Sequence, residues 1–171
     1  TSAGAATLNA NSGITFEKNF TANGAVTLDS DLDNNGSGDF IVSSGTLSTT
    51  NNALTVTAND MTLTGSLESG TGSTTINVSD GGSLGIGFSS GFGMNLDTNE
   101  QARILGTGSI NLVNGSITFS AGNSFSSSGK INIGQSGGTI TGQGALTLTG
   151  ANGLVINSDT VSATGLLTLN A

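Results

Sequence analysis

Four carboxylates crowd one stretch of the chain: Asp29, Asp31, Asp33 and Asp39 lie within eleven residues. The whole chain has eleven acidic residues, so this one loop carries an outsized share of the negative charge. Their mutual repulsion would be relieved by a cation, and Asp-x-Asp-x-Asp followed by Asn and Gly resembles an oxygen-rich calcium loop. The pattern departs from the EF-hand. Asn34 stands where the sharp turn needs Gly, and Phe40 stands where the bidentate Glu belongs. Two readings follow, a solvated acidic loop or a weak calcium site on Asp29, Asp31, Asp33 and Asp39. No cofactor is required.

Other chemistry has little to work with. His, Cys and Tyr are absent, which removes the usual bases and nucleophiles. Hydrolases and lyases on β-scaffolds need a carboxylate pair, or an Asp cluster beside Arg or Lys in a groove. Here the acids gather in one loop while Lys18, Arg103 and Lys130 are scattered. The chain is therefore expected not to be an enzyme. Arg103, the only Arg, reads as a local partner of Glu100 or Asp97, with a functional Arg as the alternative. A net charge of −8 with three basic residues argues against nucleic acid and against an anionic lipid surface. No apolar run approaches the roughly 18 residues of a membrane span, so no insertion is expected. The lack of Cys leaves the compartment open.

The elements that must carry these residues show in a short recurring pattern. Ala145-Leu146-Thr147-Leu148-Thr149 alternates apolar and polar residues with the period of a strand. The pattern returns as Ala6-Thr7-Leu8, Val26-Thr27-Leu28, Leu54-Thr55-Val56, Ile76-Asn77-Val78, Ile110-Asn111-Leu112, Ile131-Asn132-Ile133 and Leu167-Thr168-Leu169. The steps between copies are 20, 28, 22, 34, 21, 15 and 21 residues. A unit of about 20 residues with no helical periodicity predicts a β-solenoid, one coil per repeat. Apolar content is only 34%, too little for a thick core but enough for a narrow column of inward side chains.

Three alternating segments per copy predict a triangular cross-section. The fold expected over residues 1–171 is all-β: one right-handed, three-sided parallel β-helix of about eight coils. Within it, Ile86/Phe88 and Met94/Leu96 are read as the second and third strands of the fourth coil. Leu146/Leu148 opens the seventh coil and Leu167/Leu169 opens the eighth. Six of the seven Phe point inward, leaving Phe92 in a loop. Asn-Gly pairs at 23-24, 35-36, 114-115 and 152-153 mark corners. The alternation predicts one stacked apolar column of Leu8, Leu28, Val56, Val78, Leu112, Ile133, Leu148 and Leu169. It also predicts an outward ladder of Thr7, Thr27, Thr55, Asn77, Asn111, Asn132, Thr147 and Thr168. Two excursions interrupt the coils, at 29–39 and 97–104. In the second, Thr98 and Gln101 have capping-box spacing, which predicts a helical turn with Ile104 tucked beneath it.

Several runs resemble the repeats of filamentous haemagglutinin-like exoproteins of two-partner secretion and related bacterial surface proteins. They are Ile14-Thr15-Phe16 with Gly24-Ala25-Val26-Thr27-Leu28, Leu47-Ser48-Thr49-Thr50-Asn51-Asn52-Ala53-Leu54-Thr55-Val56-Thr57-Ala58-Asn59-Asp60, and Gly70-Thr71-Gly72-Ser73-Thr74-Thr75-Ile76-Asn77-Val78-Ser79-Asp80. The resemblance covers nearly the whole chain. It implies a right-handed β-helix, secretion to the bacterial surface, and an adhesive or scaffold role. The family's N-terminal secretion domain is not in this chain, which then reads as a segment of a longer repeat array.

The function expected is a non-catalytic structural or adhesive segment, a stiff shaft whose partners are flanking coils or an end-to-end copy of itself. A carbohydrate or host surface is a further partner. Ice binding is the rival reading, because Thr-x-Thr pairs stand at 55/57, 62/64, 139/141 and 147/149. A carbohydrate-binding solenoid is the other, though Tyr and Trp are missing.

Overall fold

The computed structural model describes residues 1–171. Alternating small or polar and branched apolar residues make short strands, and sharp corners join them. Coil one holds β1 (Ala6–Asn9), β2 (Ile14–Phe16) and β3 (Phe20–Thr21). Coil two holds β4 (Val26–Asp29), β5 (Phe40–Val42) and β6 (Thr46–Ser48), and coil three β7 (Leu54–Ala58), β8 (Met61–Leu63) and β9 (Ser66–Glu68). Coil four is irregular, with β10 (Thr74–Val78), β11 (Leu84–Ile86), β12 (Met94–Leu96), a single helical turn α1 (Thr98–Gln101) and β13 (Ile104–Leu105). Coil five holds β14 (Ile110–Val113), β15 (Ser116–Phe119) and β16 (Asn123–Ser127). Coil six holds β17 (Ile131–Ile133), β18 (Thr139–Gly142) and β19 (Leu146–Gly150), and coil seven β20 (Leu154–Ile156), β21 (Thr160–Ala163) and β22 (Leu167–Asn170).

Stacked strands pair in parallel, as an all-β solenoid requires. The first face is one unbroken seven-stranded sheet, β1-β4-β7-β10-β14-β17-β20. The second face is split into β2-β5-β8 and β12-β11-β15-β18-β21. The third is split into β3-β6-β9-β13 and β16-β19-β22. Both breaks fall at coil four. Inside, 28 buried apolar residues form one continuous cluster, so the two stacks share a single core. Each fully buried Leu, Ile or Val contributes about 1.5–3 kcal/mol, which in a narrow column depends on close fit to the coils above and below.

The chain makes seven coils, and pairing shifts the register in two places. The first-face column is Leu8, Leu28, Val56, Ile76, Leu112, Ile133 and Ile156. Val78 stands two residues further on, beside Ala58. Leu148 and Leu169 belong to the third face, above Phe125. The apparent 15-residue step was thus a step across faces within coil six. The outward ladder changes with it to Thr7, Thr27, Thr55, Thr75, Asn111, Asn132 and Val155. Thr147 and Thr168 lie on the third face instead, stacked with Ser124. Amide side chains link the ladder: Asn132 Nδ2 donates to Asn111 Oδ1 at 2.6 Å, and Asn111 Nδ2 to Thr75 Oγ1 at 2.9 Å.

Coil four differs most from its reading. Met94–Leu96 does not continue to the third face; it doubles back and lies parallel to β11 on the second. The loop that reverses the chain carries Phe88 and Phe92, whose rings pack at 4.7 Å between centroids. Phe92 covers Gly85, where an added Cβ would sit 2.3 Å from the ring. Phe88 is therefore half-buried in this aromatic pair rather than inward in the core.

Candidate functional site

The acidic excursion folds without gathering its four carboxylates. Asp31 points into the protein and is fully buried. Its Oδ2 accepts from Ser79 Oγ at 2.6 Å and from the Gly36 N–H at 3.0 Å, and its Oδ1 accepts from the Asn35 N–H at 3.2 Å. The Ser79 hydroxyl foremost, with these backbone N–H groups, holds the Asp31 carboxyl below the usual carboxylate range against the opposing effect of burial. The remaining three are occupied separately. Asp29 accepts from the Asp31 N–H, Asp33 from the Asn35 side chain, and Asp39 from the Asn59 side chain. No group of three or more acidic side chains converges on a point that could hold a metal ion. Asp31 instead ties the loop to Ser79, 48 residues away, and Asp80 donates its N–H to Asn34 Oδ1 in the same contact. The loop is strapped to coil four by hydrogen bonds where a metal loop would be strapped by its ion. Millimolar calcium is accordingly expected to move the melting temperature little relative to EDTA. A large rise would show native-state binding, because a ligand of the folded state must stabilise it.

The depressed Asp31 pKa has a definite pH signature. Its contribution to stability is complete above the ordinary aspartate pKa of the unfolded chain. It is lost as pH falls through that value toward the lower, folded one. Asp31→Asn keeps an acceptor for Ser79 but no longer titrates. The variant should therefore lose less stability than wild type between neutral pH and the acid range, as read from melting temperatures across a pH series.

A second acidic group does structural work that the sequence did not reveal. β12 lies next to β8, yet no backbone ladder joins them. Two carboxylates bridge the gap. Asp60 Oδ1 accepts from the Asn95 N–H at 2.8 Å, and Glu100 Oε1 accepts from the Leu63 N–H at 3.1 Å. Side-chain oxygens here replace the carbonyls that a stacked strand would supply. Glu100 is held in place by its own capping box: Asp97 accepts from the Asn99 and Glu100 N–H groups, and Glu100 Oε2 from the Asp97 N–H at 3.0 Å. The helical turn read from Thr98 and Gln101 is present, but its cap is Asp97 with Glu100. These bonds occupy the carboxylates that had been read as partners of Arg103. Arg103 supplies its backbone carbonyl to the Leu67 N–H.

Desolvation, with smaller repulsions from Asp97 and Asp60, raises the Glu100 pKa. A carboxylate raised in the folded state opposes stability as pH climbs from the ordinary glutamate range through the raised value. Removing the side chain is nevertheless costly, because Glu100→Ala orphans the Leu63 and Asp97 N–H groups. A loss of about 1–3 kcal/mol is expected in urea unfolding. No loss would show that water replaces the bridge freely.

The break in the third face has a different outcome. β13 pairs only with β9 and β16 only with β19, and between them lies a cleft of about 530 Å³. It is bounded by Thr98, Gln101 and Ala102 at α1, by Ile104 below, and by residues 120–126 above. The cleft exists because a regular coil would place a strand under the start of β16, whereas this coil places α1 there. It closes toward the next corner, where Ser128 Oγ bonds the Gly106 carbonyl at 3.0 Å and Gly129 stacks on Gly108. None of its lining residues is charged. No signal in the sequence pointed to it, since its walls come from residues that read as ordinary strand and turn. Compared with protein-family models, curated proteins and solved structures, the chain matches none.

Proposed function

We propose that this chain is a non-catalytic structural segment, a stiff β-helical shaft from a secreted or surface-bound bacterial adhesin of the filamentous haemagglutinin-like kind. The observation that carries the reading is the first face. Seven strands in one continuous sheet, with amide and hydroxyl ladders outside and an apolar column inside, would resist bending and shear over the whole length. The scattered basic residues and the absence of convergent acids favour scaffold over catalysis. Coils of the same kind are the partners proposed for its two ends. Leu8 at one end and Leu169 at the other are 39% and 48% exposed on their columns, so continued stacking would bury both. Light scattering over a concentration series tests this. Wild type is expected to associate, and Leu167→Lys with Leu169→Lys to stay monomeric. A wild type monomeric at all concentrations would remove the end-stacking partner.

One observation favours ice binding as a second reading. Thr75 replaces Asn77 in the ladder, so Thr7, Thr27, Thr55 and Thr75 form a longer uninterrupted column than the sequence suggested. Asn111 and Asn132 still interrupt it, and no thermal hysteresis is expected from the purified chain. Its appearance would make the first face functional.

A further inference from the structure

We propose that Asn23–Gly24 is a site of spontaneous covalent modification, deamidation to aspartate and isoaspartate, and that the reaction loosens coil one from coil two. The inference goes beyond the shaft reading and does not depend on it. The reaction needs only the chain and water. The Gly24 backbone nitrogen gives its proton to solvent base and attacks Cγ of the Asn23 side chain. The Cγ–Nδ2 bond breaks, Nδ2 takes a proton from water, and ammonia leaves a five-membered succinimide ring. Water then adds to one ring carbonyl and the C–N bond to that carbon breaks. Opening at Cγ gives aspartate; opening at the main-chain carbonyl gives isoaspartate. Nothing is oxidised or reduced. A glycine in the attacking position has no Cβ to obstruct the approach of its nitrogen.

The sequence offers four Asn-Gly pairs, and the fold separates them. Gly36 donates its N–H to Asp31 Oδ2 at 3.0 Å, and the Asn35 amide is tied to Asp33 and to the Ser37 hydroxyl. The Asp31 and Asp33 carboxylates also oppose the negative charge of the attacking nitrogen. Asn114 is buried, with Nδ2 held on the Gly82 carbonyl at 2.6 Å, so its leaving group is locked away from water. Gly153 donates to the Gly150 carbonyl at 3.0 Å, and Asn152 Nδ2 to the Ser128 carbonyl at 3.3 Å. Asn23 alone is exposed with both reacting nitrogens free: neither the Gly24 N–H nor Asn23 Nδ2 donates to any group of the protein. The one bond on its side chain assists the attack. The Thr50 hydroxyl donates to Asn23 Oδ1 at 3.4 Å, the atom on which negative charge develops. The corner is also one where a product matters. The Asn23 N–H bonds the Ser2 carbonyl at 3.1 Å, and the Ala6 N–H bonds the Ala25 carbonyl at 2.9 Å. Isoaspartate adds a methylene to the main chain between these two ties, so both cannot keep their register.

The test ages the whole chain in warm, mildly alkaline buffer, folded and in urea. Samples are cut with an acid protease and mapped by mass spectrometry, which reads each amide-to-acid exchange. In the folded chain Asn23 is expected to convert about tenfold or more faster than Asn35, Asn114 and Asn152. In urea the four should convert at comparable rates, since the fold no longer distinguishes them. Enzymatic methylation of isoaspartate should label the aged protein, whereas Asn23→Gln, whose longer side chain must close a larger ring, should escape early labelling. Equal or faster conversion at any of the other three pairs in the folded chain would overturn the assignment. So would the same order of rates in urea, or an intact Asn23 when the urea sample has converted. Hydrogen exchange reads the consequence: the Ala6 amide should exchange faster in the aged, isoaspartyl chain than in aged Asn23→Gln. Unchanged exchange there would overturn the loosening of coil one.

Discussion

Leu112→Asp should leave no stable fold in the middle of the rod. Leu112 is fully buried in the first-face column, between Ile76 and Ile133. The column has no slack for a water shell, and no cation lies among the apolar residues that surround it. An unpaired carboxylate there must either ionise in an apolar medium or bind a proton, and both are costly. Each coil is stabilised mainly by its two neighbours, so a fault in coil five also loosens coils four and six. A loss above about 4 kcal/mol is expected, at the extreme of single substitutions. Circular dichroism should show a much lower or absent thermal transition. The matched control is Leu105→Asp, since Leu105 points outward and is 44% exposed. It should shift stability by no more than about 0.5 kcal/mol. An unchanged transition for Leu112→Asp would mean that the column is not where the register puts it.

The second large effect comes from adding a single methyl group. Gly72, Gly108 and Gly129 stack at the corner between the third and first faces, each against the backbone one coil below. A Cβ on Gly108 would lie 1.8 Å from the Gly72 carbonyl oxygen, and one on Gly129 would lie 1.9 Å from that of Gly108. Backbone cannot rotate aside as a side chain can, so Gly108→Ala must push coil four away from coil three along the whole corner. The cost should reach about 3 kcal/mol, the upper part of the range for overpacking, measured by urea unfolding. Gly4→Ala is the control, because nothing lies within 4 Å of its added Cβ. A Gly108→Ala variant as stable as wild type would show that the corner is looser than this stacking requires.

The two effects also show which parts of the molecule could be read in advance. Period-2 alternation marks a strand and its inward residues, which is why Leu112, Ile133 and Leu148 were all placed in the core. It does not say which strand lies beneath which. Leu146-Thr147-Leu148 looks the same whether it opens a coil or closes one, and only the pairing with Asn123–Ser127 decides. Val78 yields its place in the column to Ile76 for a related reason. The strand begins at Thr74, a buried polar residue whose hydroxyl bonds Ser69 Oγ at 2.9 Å. A satisfied Thr inside the core reads as an outward residue in an apolar pattern, and so shifts the phase by two.

The reversal at β12 was hidden for a further reason. Met94 and Leu96 do form a strand with both side chains inward, as alternation implies. Whether it advances to the next face or returns to the last depends on Asp60 and Glu100, whose partners lie 35 and 37 residues away. The anchoring of the acidic loop was hidden by the same kind of distance. Carboxylate spacing leaves a solvated loop or a weak cation site open, and carries no sign that Ser79, far along the chain, bonds Asp31. The cleft could not be read at all, because it is the consequence of a strand replaced by a helical turn.

Stiffness along the first face is the claim on which the rest depends, and a distance between two nitroxide labels measures it directly. Thr7 and Val155 stand at the two ends of the first-face ladder, six steps apart through Thr27, Thr55, Thr75, Asn111 and Asn132. At about 4.8 Å per step their backbones are about 29 Å apart. Pulsed electron–electron resonance on Thr7→Cys with Val155→Cys, both labelled, should give one narrow distribution centred near that value after allowance for the label arms. A broad distribution, or a second population at clearly different distance, would contradict a continuous rigid face and with it the shaft.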